Sequence, residues 1–227
     1  DWDDTGIVPF ACAKCHSASG LPEFIASGGT VVVTGSGSTA TTGVGRQPSA
    51  NGFLCTTCHD GADFPNRYTI ASVVFPSGKR VSFGGKDDKG AFVADDSNLC
   101  ILCHQGREST ISVNNALRGK EDDTPDAAIS FKNIHYLGAG ATLFGNDAQG
   151  AYQYAGKEYA GQNMHAAPTG AVNKCQDCHD VHALAPKVET CEACHGTTEP
   201  EEIRAPGDST DYDGDGSGDV VVGAPLA

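Results

Sequence analysis

Ten cysteines arranged as five Cys-x-x-Cys pairs, each followed at once by histidine, constrain this chain more than any other feature. The pairs are Cys12 and Cys15 before His16, Cys55 and Cys58 before His59, Cys100 and Cys103 before His104, Cys175 and Cys178 before His179, and Cys191 and Cys194 before His195. No cysteine is left over. The pattern is the attachment signal for c-type haem. Two thiols add to the two vinyl groups on one porphyrin edge, and the next residue then lies where its imidazole reaches the iron. Histidine is 8 of 227 residues, so five coincidences by chance have a probability on the order of one in ten million. A disulfide framework gives no reason for the histidines. Zinc ribbons use two pairs per site, leave one of five unpaired, and do not need the adjacent histidine.

Five haems present ten axial positions, of which His16, His59, His104, His179 and His195 take the proximal five. Three other histidines exist, His135, His165 and His182, and all three are expected to be distal ligands, because irons need ligands and buried rings need partners. His182 follows His179 by three residues and cannot easily reach the far face of the haem that His179 binds, so a neighbouring haem is its expected target. The single Met164 could add a ninth ligand through its thioether, or serve as an apolar gap-filler. Two models remain open. In one, five haems are attached and one or two irons have a ligand other than histidine, a water, or an open position. In the other, four bis-histidine haems use all eight histidines, and one motif, the first being the natural candidate, carries no haem.

The rest of the composition fits a chain that folds around its cofactors. Aromatics are 7% of the residues and glycines number 29, which equips the chain poorly for a conventional core. Large, flat, apolar porphyrin faces would stand in for the missing side chains. Fifteen Lys and Arg against 29 Asp and Glu give a net charge of −14, which disfavours a nucleic-acid partner. Apolar runs such as Val31-Val32-Val33 fall far short of the roughly 18 residues of a membrane span. With no basic-then-apolar leader and a start at Asp1, the chain reads as a mature, processed product.

Regular structure is expected to be sparse. Thr30 to Val33 reads as a short β run, followed by an exposed Gly/Ser/Thr tract from Gly35 to Gly43. Tyr68 to Phe83 reads as a hairpin turning at Pro76-Ser77-Gly78. Thr124 and Pro125 predict a helix start, with Ile129, Ile134 and Leu137 on one side, His135 late in the helix and Gly138 ending it. Tyr152, Tyr154 and Tyr159 around Gly156 suggest a second hairpin. The expected fold is therefore mostly irregular chain, with a few short helices and small β-hairpins wrapped around a chain of stacked c-type haems. Residues 1–196 form this multihaem domain and 197–227 an acidic tail.

The stretch Asn133-Ile134-His135-Tyr136-Leu137-Gly138-Ala139-Gly140-Ala141-Thr142-Leu143-Phe144-Gly145 resembles multihaem cytochromes that polymerise into extracellular nanowires, the OmcE- and OmcS-like proteins. Ala151-Tyr152-Gln153-Tyr154-Ala155-Gly156-Lys157 and Cys178-His179-Asp180-Val181-His182 resemble them too, in the same order. The resemblance covers about residues 95–196 well, and the N-terminal third mainly through the motifs. It implies a stacked haem chain, bis-histidine irons, distal ligands at His135, His165 and His182, and export through the outer membrane. It also implies identical subunits joined head to tail, with a histidine of one able to ligate a haem of the next. The fifth motif departs from similar four-haem members.

In the tail, Asp211, Asp213 and Asp215 stand at alternate positions with Gly216 at the sixth, and with Asp219 they resemble one FG-GAP repeat, which implies a local calcium loop. Position twelve is Val222, where an EF-hand has its bidentate Glu. A solvated acidic tail is the alternative. Irons closed by two strong-field ligands pass electrons and do not activate small molecules. The expectation is thus electron transfer to redox partners or extracellular acceptors such as metal oxides, by a secreted protein. A multihaem reductase of nitrite, hydroxylamine or a sulfur oxyanion, or a monomeric periplasmic shuttle, stands as the alternative.

Overall fold

All five Cys-x-x-Cys pairs lie on helical turns, and the helical repeat explains why. Residues i and i+3 share a helix face, so one turn aims both thiols of a pair the same way. The computed structural model describes residues 6–28, 47–49, 52–121, 123–135, 137–163, 165, 173–200 and 203. Helix α1 (Phe10–His16) carries the first motif and α3 (Cys55–Cys58) the second. The third lies on α4 (Asn98–Cys103), the fourth on α7 (Cys175–Cys178) and the fifth on α8 (Glu189–His195). Helices α2 (Gly20–Ala26), α5 (Thr110–Leu117) and α6 (Ala139–Ala148) carry no motif.

Strands are two residues long and pair in antiparallel twos. β1 (Ile7–Val8) pairs with β2 (Gln47–Pro48), β3 (Val73–Val74) with β4 (Arg80–Val81), and β5 (His179–Asp180) with β6 (Ala185–Pro186). The hairpin expected at 68–83 thus forms, reduced to its centre, with Val73 opposite Val81. Among the described residues the rest is turns and irregular chain, as the sequence suggested.

One small core organises these elements. Val73, Phe75 and Val81 of the β3–β4 hairpin pack with Leu99, Ile101 and Leu102 of α4 and with Ala141, Phe144 and Ala148 of α6. Leu21 and Phe24 of α2 belong to the same cluster, and the Phe144 ring meets Phe83 edge-on at 5.2 Å. Asn98, fully buried, ties α4 to the hairpin. Its amide donates to the Ile70 carbonyl (2.8 Å) and to Ser82 Oγ (3.0 Å), and its oxygen accepts from the Phe83 amide (2.9 Å). A buried amide needs such partners, so this one fixes the orientation of the helix bearing the third motif.

Three expectations need correction or lie beyond view. The described residues of 124–137 do not form a helix. The Asn133 side chain takes the His135 amide (2.8 Å), a local turn that competes with helical bonding, and His135 and Leu137 adopt left-handed φ of 78° and 55°. Gly138 consequently precedes α6 instead of ending a helix. The second hairpin at 151–160 has no ladder: Tyr154 N–H donates to the Tyr159 hydroxyl (2.8 Å), and Lys157 N–H to the Tyr154 carbonyl (3.2 Å). The Thr30–Val33 run, the Gly35–Gly43 tract, Met164, and the tail aspartates 211, 213, 215 and 219 fall outside the described residues.

Candidate haem-binding sites

The five motif helices are held in place by short polar contacts. Thr57 accepts the Leu54 amide (3.1 Å) and donates to the Ala18 carbonyl (2.7 Å), which docks α3 on the loop between α1 and α2. Asp177 accepts the amides of Asn173 (3.0 Å) and Lys174 (2.8 Å) and so closes the turn of α7. Ser97 donates to the Gln176 side chain (2.9 Å), and Lys174 reaches Asp95 (2.5 Å), so α4 and α7 are joined twice. Burial works to raise the Asp95 carboxyl, but bonds from Lys174 and Ser97 outweigh it and hold it below its ordinary value. Lys174 is raised in turn by its bond to Asp95.

Motifs distant in sequence lie against one another. The Cys15 thiol of the first motif reaches the Leu102 carbonyl of the third-motif helix (3.8 Å), and the Cys103 thiol beside it draws Cys15 down to about 7 while Cys103 is itself pushed up. Across the α4–α7 contact the Cys175 thiol draws Cys100 down to about 7, and Cys175 is pushed up in turn. Burial, and after it the neighbouring Cys100, pushes the Cys58 thiol up, and burial followed by the neighbouring Cys191 does the same to Cys178. The third motif is therefore the hub, with the first and second beside it, the fourth next, and the fifth beyond the fourth. Sequence order and spatial order differ.

Each histidine outside the motifs faces a histidine inside one. His135 and His16 stand with ring centroids 5.8 Å apart and planes at 69°, His182 and His59 at 6.2 Å and 5°, and His165 and His195 at 6.0 Å and 86°. Two metal–nitrogen bonds of about 2 Å, plus roughly 1 Å from each nitrogen to its ring centre, put two imidazoles on one metal about 6 Å apart. All three pairs stand at that separation. His182 owes its position to the β5–β6 hairpin, whose loop it occupies: Asp180 accepts its amide (2.8 Å) and that of Ala183 (2.8 Å). That hairpin carries His182 away from His179 and toward His59 of the second motif. His104 and His179 meet no other histidine ring among the described residues.

Backbone carbonyls orient two proximal rings. His59 Nδ1 bonds the Pro65 carbonyl (2.7 Å) and His104 Nδ1 the Leu137 carbonyl (2.8 Å), which leaves Nε2 of each free to ligate. Burial, followed by the charges of His135 and Arg107, holds His16 below its ordinary value and so favours the neutral imidazole that a metal needs. Pro65 and Leu137 were invisible to sequence reasoning, because a carbonyl acceptor leaves no residue signature. Gly140 was equally hidden. Its amide donates to the His104 carbonyl (2.8 Å), and a Cβ there would stand 2.9 Å from that oxygen, so only glycine lets α6 lie so close to the third motif.

The apolar surroundings fit porphyrin. Leu54 beside Cys55, Phe64 against the His59 ring at 5.3 Å, Leu137 beside His135 and Leu184 beside His182 are 64–75% exposed, which is costly for side chains in water. A cleft of about 380 Å³ runs along Ile134, His135, Leu137, Ala141 and Ala151. Thiol pairs on one helix face, ring pairs at ligand spacing and bared apolar flanks together match what haem c requires. Among the described residues no three His, Cys, Asp or Glu converge as a site for a bare metal ion.

Comparison with known proteins agrees. The chain is similar to the C-type polyheme cytochrome OmcC of Geobacter sulfurreducens, at 31% identity over 206 residues that cover 79% of this chain and 25% of the relative. It is similar also to the C-type polyheme cytochrome OmcB of the same species, at 29% identity over 195 residues, 74% of this chain and 24% of the relative. The chain therefore spans about a quarter of the length of the curated relatives it matches. No family model and no solved structure matches it. No helix among the described residues is long and apolar enough to cross a membrane.

Proposed function

From its relation to multihaem c-type cytochromes, with haem c as cofactor, we propose that the chain is an electron-transfer protein carrying five haems. The observation that carries this reading is the packing of one motif helix on another: Cys15 lies against Leu102 of α4 (3.8 Å), and α4 is joined to α7 through Ser97 with Gln176 (2.9 Å) and Lys174 with Asp95 (2.5 Å). Each motif marks an attachment edge, so motifs packed together support a conduit and not isolated centres. Haem c supplies a one-electron iron couple when bound. The protein's part is to hold the ten thioethers, to present imidazoles from both sides at the three paired sites, and to keep neighbouring attachment edges together. At those three sites paired imidazoles also deny a substrate the iron, which supports a carrier over an enzyme there.

The placement of His16 opposite His135 supports a loaded first motif, since a motif without haem has no need of a ring partner at ligand spacing. Resemblance at residues 133–145, 151–157 and 178–182 supports assembly of identical subunits, head to tail, into an extracellular filament that delivers electrons to acceptors such as metal oxides. The aspartates 211, 213, 215 and 219 are proposed to hold calcium in that setting. Two measurements test the core reading. Spectroelectrochemical titration should show several reversible one-electron steps, and a protein without reversible couples would end it. Negative-stain electron microscopy should show filaments, whereas discrete particles alone would remove the polymer.

A further inference from the structure

Resting on that reading, we infer that the haems of the third and fourth motifs have an axial position free of any histidine from this chain, and that both bind a small uncharged donor such as carbon monoxide. The argument is one of exclusion by geometry. All eight histidines lie among the described residues, and six of them form the three pairs at ligand spacing. The two left are both motif histidines, His104 and His179, each committed to its own haem on the proximal side. His135, His165 and His182 are each already opposite another ring, so none is left for the third or fourth iron.

Local structure around the two supports the assignment. His104 is anchored by the Leu137 carbonyl (2.8 Å) and by the Gly140 amide on its own carbonyl (2.8 Å), which fixes the proximal ring and holds it in place. His179 opens β5, paired with Pro186, and its neighbour His182 is carried off by the hairpin loop toward His59. The backbone next to each of these histidines carries an exposed apolar side chain, Leu137, whose carbonyl holds His104, and Val181, two residues after His179, which suits an uncharged ligand better than an anion. The two sites are neighbours at the hub, since α4 and α7 are joined through Ser97 with Gln176 (2.9 Å) and Lys174 with Asp95 (2.5 Å). A ligand there would sit in the middle of the conduit and not at its ends.

The chain of residues 1–227, isolated with its haems and reduced with dithionite, should bind two carbon monoxide molecules per five haems. Ferric protein should show two high-spin haems. Its three low-spin haems should comprise one with the rhombic electron paramagnetic resonance of near-parallel imidazoles and two with the highly anisotropic signal of near-perpendicular ones, after the plane angles of 5°, 69° and 86°. His182→Ala should raise the carbon monoxide count to three and remove the rhombic signal alone. His135→Ala should also give three but remove one anisotropic signal. Fewer or more than two carbon monoxide molecules in the unaltered protein overturns the inference, as does a His182→Ala protein with an unchanged count. Absence of covalent haem, or of reversible couples, would instead overturn the electron-transfer reading.

Discussion

Replacing Asn98 by alanine tests how the hub motif is held. Three hydrogen bonds disappear, but their partners fare differently. The Ile70 carbonyl keeps the Asp95 amide (3.1 Å), and Ser82 Oγ keeps both the Val93 carbonyl (3.1 Å) and the Gly84 amide (3.1 Å). The Phe83 amide loses its acceptor. Two ordinary bonds at about 1 kcal/mol each, plus about 1–3 kcal/mol for a stranded donor, give a loss of roughly 3–5 kcal/mol. At about 2–4 °C per kcal/mol for a chain of this size, the melting temperature should fall by at least about 6 °C. Thermal unfolding followed in parallel by far-ultraviolet circular dichroism and Soret absorbance measures it. Hydrogen exchange should locate the greatest loss of protection at Phe83. Asn115→Ala, which removes an exposed bond to Arg118 (2.5 Å), is the control and should change stability by no more than about 0.5 kcal/mol. A shift under 2 °C for Asn98→Ala would refute the view that this amide anchors α4.

Intact mass under denaturing conditions should show five covalently attached haems, and four would mean that one motif is unloaded. Gly145→Ala should destabilise by about 2–5 kcal/mol in urea unfolding, because residue 145 has φ of 44° and its Cβ would stand 2.4 Å from the Gly161 carbonyl oxygen. An unchanged midpoint would contradict that crowding. The Asp95–Lys174 pair should give stability that is present above the unfolded carboxyl's pKa of about 3.9 and lost as acid titrates Asp95 through its lowered folded value. Lys174, raised by the same bond, contributes below about pH 10.4 and loses its share as base titrates it through its raised folded value. Lys174→Met should flatten the acid limb of a stability-against-pH curve, and an unchanged slope would show the pair to be inert.

Covalent chemistry was legible in the sequence and three-dimensional order was not. Cys-x-x-Cys-His encodes its own geometry, since one helical turn suffices to align two thiols, and nothing distant has to cooperate. The spacing of His182 from His179 argues against one shared iron, because three residues are too few to round a porphyrin. The ring that His135 meets cannot be read from the sequence, because it depends on Asn133, Leu137 and Gly140 acting across a turn that outcompetes the helix expected from Thr124 and Pro125. Likewise the contact of the first motif with the third spans 88 residues from Cys15 to Cys103, a separation over which periodicity carries no information.

The packing of motif on motif also bears on how such a chain is made. Cys15 lies against the helix of the third motif, its sulfur 3.8 Å from the Leu102 carbonyl, and bare thiols crowded together in an oxidising compartment are liable to pair wrongly. Joining Cys15 to Cys103 and Cys100 to Cys175 would engage one thiol of the first motif, both of the third and one of the fourth, three of the five porphyrin-loading stations. An order of maturation in which the chain stays extended and reduced until its pigments are on, and only then compacts, avoids that trap.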